Sequence, residues 1–152
     1  MTTRVAFLRG PLLALGPPTR EESMMISEMP TRLRIATATR RTGVDRVISF
    51  AARDPTTALL GGISLVDIDW VQRSARVVAR WPDGRGLQED ALSLVLGYAT
   101  GELALERLVA ETTDEVWLGV LLAAGFQGDS LLAVAMASVW PARKPTGNDP
   151  GE

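Results

Sequence analysis

Gly84-Arg85-Gly86 stands where a β-type run, Arg76 to Trp81, breaks at Pro82 and gives way to a helical stretch opening near Leu87. Residues of these types at such a junction can receive an anion. Glycines let backbone N–H groups approach a phosphate closely, Arg85 adds a fixed charge, and the positive end of the helix points at the same place. A G-x-G at a strand-to-helix junction also serves as a tight turn without a ligand, and the spacing alone leaves both readings open. The chain has no cysteine and no histidine. That excludes thiol nucleophiles, disulfides, Cys/His zinc sites and histidine acid–base catalysis, and no metal is expected.

The 152 residues suffice for one domain that buries about two thirds of its unfolded surface, and are too few for two. We assign residues 1–140 to that domain and expect the tail 141–152, PARKPTGNDPGE, to be disordered. A hydrophobic share of 46% with 22% charged residues is that of a soluble globular chain, not of a coiled coil or a disordered segment. The start, MTTRVAFLRG, lacks the apolar stretch of a signal peptide. No run approaches the roughly 20 apolar residues of a membrane span. A cytoplasmic protein without a membrane partner is expected. The net charge of −2 gives no electrostatic case for nucleic acid as the main partner. Arg32, Arg34, Arg40 and Arg41 read as a solvated face, with a local basic patch as the alternative.

The elements that must position the junction follow from period and punctuation. Val5–Leu8 and Leu12–Leu15 read as one first strand interrupted at Gly10-Pro11. Thr19 with Glu22 makes a capping box, and Met24, Met25, Ile26 and Met29 carry the helix to Pro30, as core filler or as the lining of a flexible pocket. Residues 32–43 show no clear period and suggest a short helix or an irregular arm. Strands follow over Val47–Ala52, Ala58–Asp69 and Ser74–Trp81, with a bulge or close backbone approach at Gly61-Gly62. Leu92, Val95, Leu96, Ala99 and Leu103 repeat at helical spacing, so one face of that helix packs on the sheet. A strand at Leu108–Thr112 completes a strand-helix-strand crossover that predicts a parallel pair, Val77-Val78-Ala79 with Val109-Ala110-Glu111. Thr112 with Glu115 repeats the capping-box pattern before Val116–Ala124, Gly125 closes that helix, and Leu131–Val139 is a last strand.

This order, read with the residues GISLVDID, GRGLQEDAL and LAAGF, resembles the GCN5-related N-acetyltransferases over nearly the whole chain, most closely their ribosomal-protein-alanine acetyltransferase branch. The resemblance implies an α+β fold with three layers, a mixed and mostly antiparallel sheet carrying helices on both faces. It implies acetyl-coenzyme A or another acyl-coenzyme A as cosubstrate, with the pyrophosphate held by backbone N–H groups of Gly84, Arg85, Gly86, Leu87 and Gln88. Val77, Val78 and Ala79 would bind the pantetheine arm where their strand splays from the next, and a backbone N–H near Val78 would polarise the acyl carbonyl. The family commonly has an acid at the position of Arg76, a tyrosine at Leu121, and Asn and Ser at Asp114 and Trp117. The loop before the cradle is about two residues short, and the hairpin after Phe126 is cut to residues 127–130.

An amine acceptor needs only to lose a proton, to a carboxylate or through water. Asp67 and Asp69 lie two apart, hence on one face of a strand, and Glu111 and Asp114 bracket the start of the last helix. Asp69, Glu111 and Asp114 are the catalytic candidates, against the reading of each as a solvated or salt-bridged surface residue. Trp70, Trp81 and Trp117 form either an aromatic substrate wall or ordinary packing, and Tyr98 is read as packing. Two functions are carried forward. One is an acyl-coenzyme A dependent N-acyltransferase in which an amine, small molecule or protein N-terminus, attacks directly. The other is a non-catalytic module of the same fold that binds acyl-coenzyme A or a protein partner. The oligomeric state, a homodimer among the options, is not fixed by the sequence.

Overall fold

Apolar residues alternate along three central strands, and that period decides which face of the sheet becomes core. The computed structural model describes residues 7–33, 47–83, 86–128 and 136–141. Their elements are β1 (Leu8–Arg9), β2 (Ala14–Gly16), α1 (Arg20–Ser27), β3 (Thr31–Leu33), β4 (Ile48–Arg53), β5 (Leu59–Asp69), β6 (Ser74–Arg80), α2 (Gln88–Gly101), β7 (Arg107–Thr112), α3 (Glu115–Ala123), β8 (Gln127–Gly128) and β9 (Met136–Pro141). The strands form one sheet in the order β1-β2-β4-β5-β6-β7-β9-β8, with β3 added to β6. Every pairing is antiparallel except β6 with β7. The expected fold class is the one observed.

Ile48 and Phe50, Ile63 and Leu65, and Ala75, Val77 and Ala79 point from β4, β5 and β6 into one core, where Ala91, Leu92, Val95 and Ala99 of α2 meet them. The helical spacing read from the sequence is the packed face. Tyr98 packs edge-on against Phe50, ring centroids 5.7 Å apart. Helix α3 runs beside α2, the two flanking a groove lined by Asp90, Leu96, Val120 and Ala123. Helix α1 covers the other face. There a Cβ on Gly62 would come within 2.8 Å of Ile26, while one on its neighbour Gly61 would lie 2.3 Å from the Trp81 ring. The glycine pair therefore answers close approach on two sides, while the bulge falls just before it, at Leu60, since Ala52 faces Gly61 and Arg53 faces Leu59. Among the described residues no helix is long and apolar enough to cross a membrane.

Four expectations are corrected. The first strand is not one interrupted strand but a hairpin, β1 against β2, because Gly10 turns the chain and donates its N–H to the Leu13 carbonyl at 2.9 Å. Helix α1 begins at the predicted capping box, but Met24 and Met25, 64% and 54% exposed, fill neither a core nor a pocket. Arg32 and Leu33 belong to a strand rather than to a helix or arm. Asp114, not Thr112, caps α3, because Thr112 is the buried last residue of β7 and donates its hydroxyl to the Arg32 carbonyl at 2.6 Å. Residues 34–46, the pair Gly84-Arg85, the start of the last strand and the tail after Pro141 lie outside the described residues.

Candidate functional site

The parallel pair is short. Ser74, Ala75 and Arg76 face Arg107, Leu108 and Val109, and there the register of β6 on β7 ends. The predicted pairing of Val77–Ala79 with Val109–Glu111 is thus displaced toward the start of both strands. Val77, Val78 and Ala79 lie beyond the last pair, where the strands have parted. From that point, among the described residues, β7 is paired on its other side only, with β9. Leu33, Trp81 and Trp117 are buried around the opening, the two indoles edge-on with centroids 5.8 Å apart. Trp81 and Trp117 are therefore packing residues, and Trp70 stands on the surface in the β5–β6 turn.

β6 runs out into Pro82 and Asp83, and α2 starts at Gln88 behind Leu87. Leu87 adopts the left-handed conformation, φ 72°, and among the described residues no side chain caps the first N–H groups of α2. A bare helix N-terminus is what an anion needs. Glu89 and Asp90 occupy the same first turn and compete with one. The Trp81 indole N–H donates to the Gly86 carbonyl at 3.2 Å, fixing the end of the turn. A Cβ on Gly86 would meet nothing within 4 Å. In this arrangement Gly86 answers no steric need. A hollow of about 310 Å³ at this mouth is lined by Arg32, Pro82, Asp83, Gly86, Gln88 and Asp114.

Arg32, read from the sequence as solvated, has a side chain only 13% exposed. Its Nε donates to the Trp81 carbonyl at 2.9 Å, Nη1 to Asp114 Oδ2 at 2.8 Å, and Nη2 to Asp83 Oδ1. The other Asp114 oxygen accepts from the N–H groups of Val116 and Trp117. Both oxygens of this catalytic candidate are engaged. Nothing in residues 32–43 flags Arg32, although Pro30 before it and the polar-apolar step Thr31 to Leu33 fit a short strand.

On the face covered by α1, Arg76 reaches Asp67 Oδ2 at 3.6 Å and Glu111 Oε2 at 3.7 Å. The Glu111 carboxylate is 14% exposed and stands beside the split. Asp69 does not reach it. Its carboxylate accepts the N–H groups of Val71 and Gln72, each at 3.0 Å, and shapes the β5–β6 turn. A bulge between Val66 and Asp69, with Asp67 at φ 51°, breaks the alternation that was to put Asp67 and Asp69 on one face. A second hollow, of about 220 Å³, runs beneath α1 between Ser23, Ser27, Ser49, Ser64, Val78 and Arg80. Arg80 donates to the Ser27 and Met29 carbonyls at 3.2 and 2.9 Å, closing the C-terminal end of α1, which has no basic residue of its own.

No profile of a known protein family matches the sequence, and no curated protein is similar to it. Solved structures do match. A chimera built from the spermidine N-acetyltransferase SpeG of Vibrio cholerae superposes with a TM-score of 0.65 at 14% identity, over 86% of this chain and 95% of that one. The Vibrio cholerae enzyme in complex with coenzyme A and spermine gives 0.57 at 16% identity, over 63% of this chain and 66% of that one. A protein described as a probable acetyltransferase gives 0.55 at 21% identity, over 62% and 61%. At these identities the likeness is one of fold alone, shared with these N-acetyltransferase structures.

Proposed function

We propose that this chain is an acyl-coenzyme A dependent N-acyltransferase in which an amine attacks the thioester directly in a ternary complex. The observation that carries the reading is the parallel pair that opens after Arg76 and Val109, with the uncapped start of α2 at its mouth. An extended thioester arm suits the edge of β6 that β7 no longer pairs beyond Arg76, and the helix end suits its phosphates. The acyl carbon then lies near the split, where a backbone N–H close to Val78 takes up the charge that develops on oxygen. The C–N bond forms as the C–S bond breaks, coenzyme A leaves as thiolate, and the ammonium proton passes to a carboxylate or to water. Glu111 is the best placed of the three candidate bases. Asp114 is committed to capping α3 and to Arg32, and Asp69 to its turn.

The acceptor enters under α1, along the serine-lined hollow. Spermidine, named for the neighbours, is a polycation, and Arg80 on that wall disfavours a second positive charge. A monoamine or a protein N-terminus fits better. A non-catalytic reading is favoured by Arg76 in place of an acid and by Leu121, fully buried in the core, in place of a tyrosine. The test is thiol release from acetyl-coenzyme A over a panel of monoamines, peptide N-termini and polyamines. Release above the rate of hydrolysis with one of the first two classes is expected. Binding of coenzyme A without release by any amine would transfer the assignment to the non-catalytic module.

A further inference from the structure

We infer that β3 is an internal competitor for the acyl donor, a strand of the chain's own that occupies the track the donor's arm needs and must leave before it binds. The inference rests on the reading under Proposed function and adds to it how access is controlled. Past Arg76 the edge of β6 that turns away from β5 has lost β7 as a partner. An extended ligand would satisfy that edge by pairing with it as an added strand. The chain does so itself. Thr31 faces Arg80, Leu33 faces Ala79, and the Trp81 N–H donates to the Pro30 carbonyl at 3.1 Å. The Arg32 carbonyl meanwhile accepts from Thr112 at the end of β7, so the strand bridges both walls of the split.

The strand also reaches the mouth. The Arg32 guanidinium lines the hollow there, held between Asp83 and Asp114 on the wall where phosphates would come to lie. The leucine that follows it is fully buried. A strand anchored this way is docked in nearly all molecules. If 1 in 100 has it undocked, the apparent affinity for the donor falls about a hundredfold below that of the open cleft.

The test uses the full chain, coenzyme A as probe, and two readouts. Calorimetric titration compares the wild type with Arg32→Ala, which removes three anchors of β3. Amide hydrogen exchange follows Thr31–Leu33 and Ser74–Arg80 in the wild type with and without saturating coenzyme A. Expected are at least tenfold tighter binding by the variant, and loss of protection at Thr31–Leu33 on binding while Ser74–Arg80 keeps its own. Exchange on the wild type decides even where the variant fails to fold. Equal or weaker binding by a folded variant, or retained protection at Thr31–Leu33 in the saturated complex, overturns the inference and leaves N-acyl transfer standing. Failure of both chains to bind coenzyme A overturns the inference and the proposed function together.

Discussion

Glu22 is engaged on two sides. One carboxylate oxygen accepts the Thr19 N–H at 2.9 Å to close the capping box, and both oxygens accept from the Arg53 guanidinium, at 2.5 and 2.8 Å. Hydrogen bonding to Arg53 outweighs burial and holds the carboxyl below its ordinary value, while the same contact raises Arg53. The folded protein therefore binds the Glu22 proton less readily than the unfolded chain does. The resulting stability is complete above the unfolded glutamate's pKa, about 4.3, and is lost as the pH falls through the lower folded value. Glu22→Gln should cost about 1–2 kcal/mol at neutral pH, and the gap to the wild type should close in acid. Urea unfolding at pH 7 and again in acid checks both. The Thr19–Glu22 spacing was legible because a cap is local. Arg53 was not, since its partnership depends on how α1 lies over β4. The same division governs the site. The junction between β6 and α2 was located from one short motif, whereas Arg32, which lines the hollow beside it, and Asp114, which caps α3 in place of Thr112, owe their roles to tertiary contacts.

Among the elements, α2 and the strands β4 to β7 were readable because their periods run long enough to repeat. β3 and the β1–β2 hairpin have 3, 2 and 3 residues, too few to show a period, and only pairing makes them strands. Gly61 and Gly62 lie between these cases, since their presence in a strand predicts contact without naming the partner. The partners differ in kind. Gly61 carries the Trp81 ring system, whose nearest atom would be 2.3 Å from an added Cβ, and Gly62 carries the methyl ends of Ile26 at 2.8 Å and beyond. A buried indole cannot give way as an isoleucine terminus can. Gly61→Ala should therefore cost about 1–3 kcal/mol, and Gly62→Ala distinctly less. Thermal unfolding of the two variants decides, and the reverse order would mean that Trp81 does not lie against β5.

For the molecule as a whole, fold class and the connectivity from β4 to α3 followed from the sequence because one crossover, β6-α2-β7, fixes the hand and direction of the central strands. How far the parallel pair runs did not, since its length is set by what is packed into the opening. A ligand that binds only the folded chain must stabilise it whatever its route of entry. Coenzyme A at a hundredfold excess over its dissociation constant should raise the unfolding free energy by about 2.7 kcal/mol. Guanidinium unfolding with and without the ligand measures this, and an unchanged transition at millimolar concentration would speak for an interaction module that takes no cosubstrate.

The crossed indoles of Trp81 and Trp117 have one more consequence. At 5.8 Å between centroids and 69° between planes, two identical chromophores share their ultraviolet excitation and split it into bands of opposite sign. The far-ultraviolet circular dichroism should carry such a couplet, and Trp117→Phe should abolish it while leaving the helical and sheet signals in place. Trp81 is tied through its backbone to Pro30 and Arg32 and through its ring to Gly86. The amplitude of the couplet is thus an optical gauge of the cleft mouth, readable on the unlabelled protein as ligand is added.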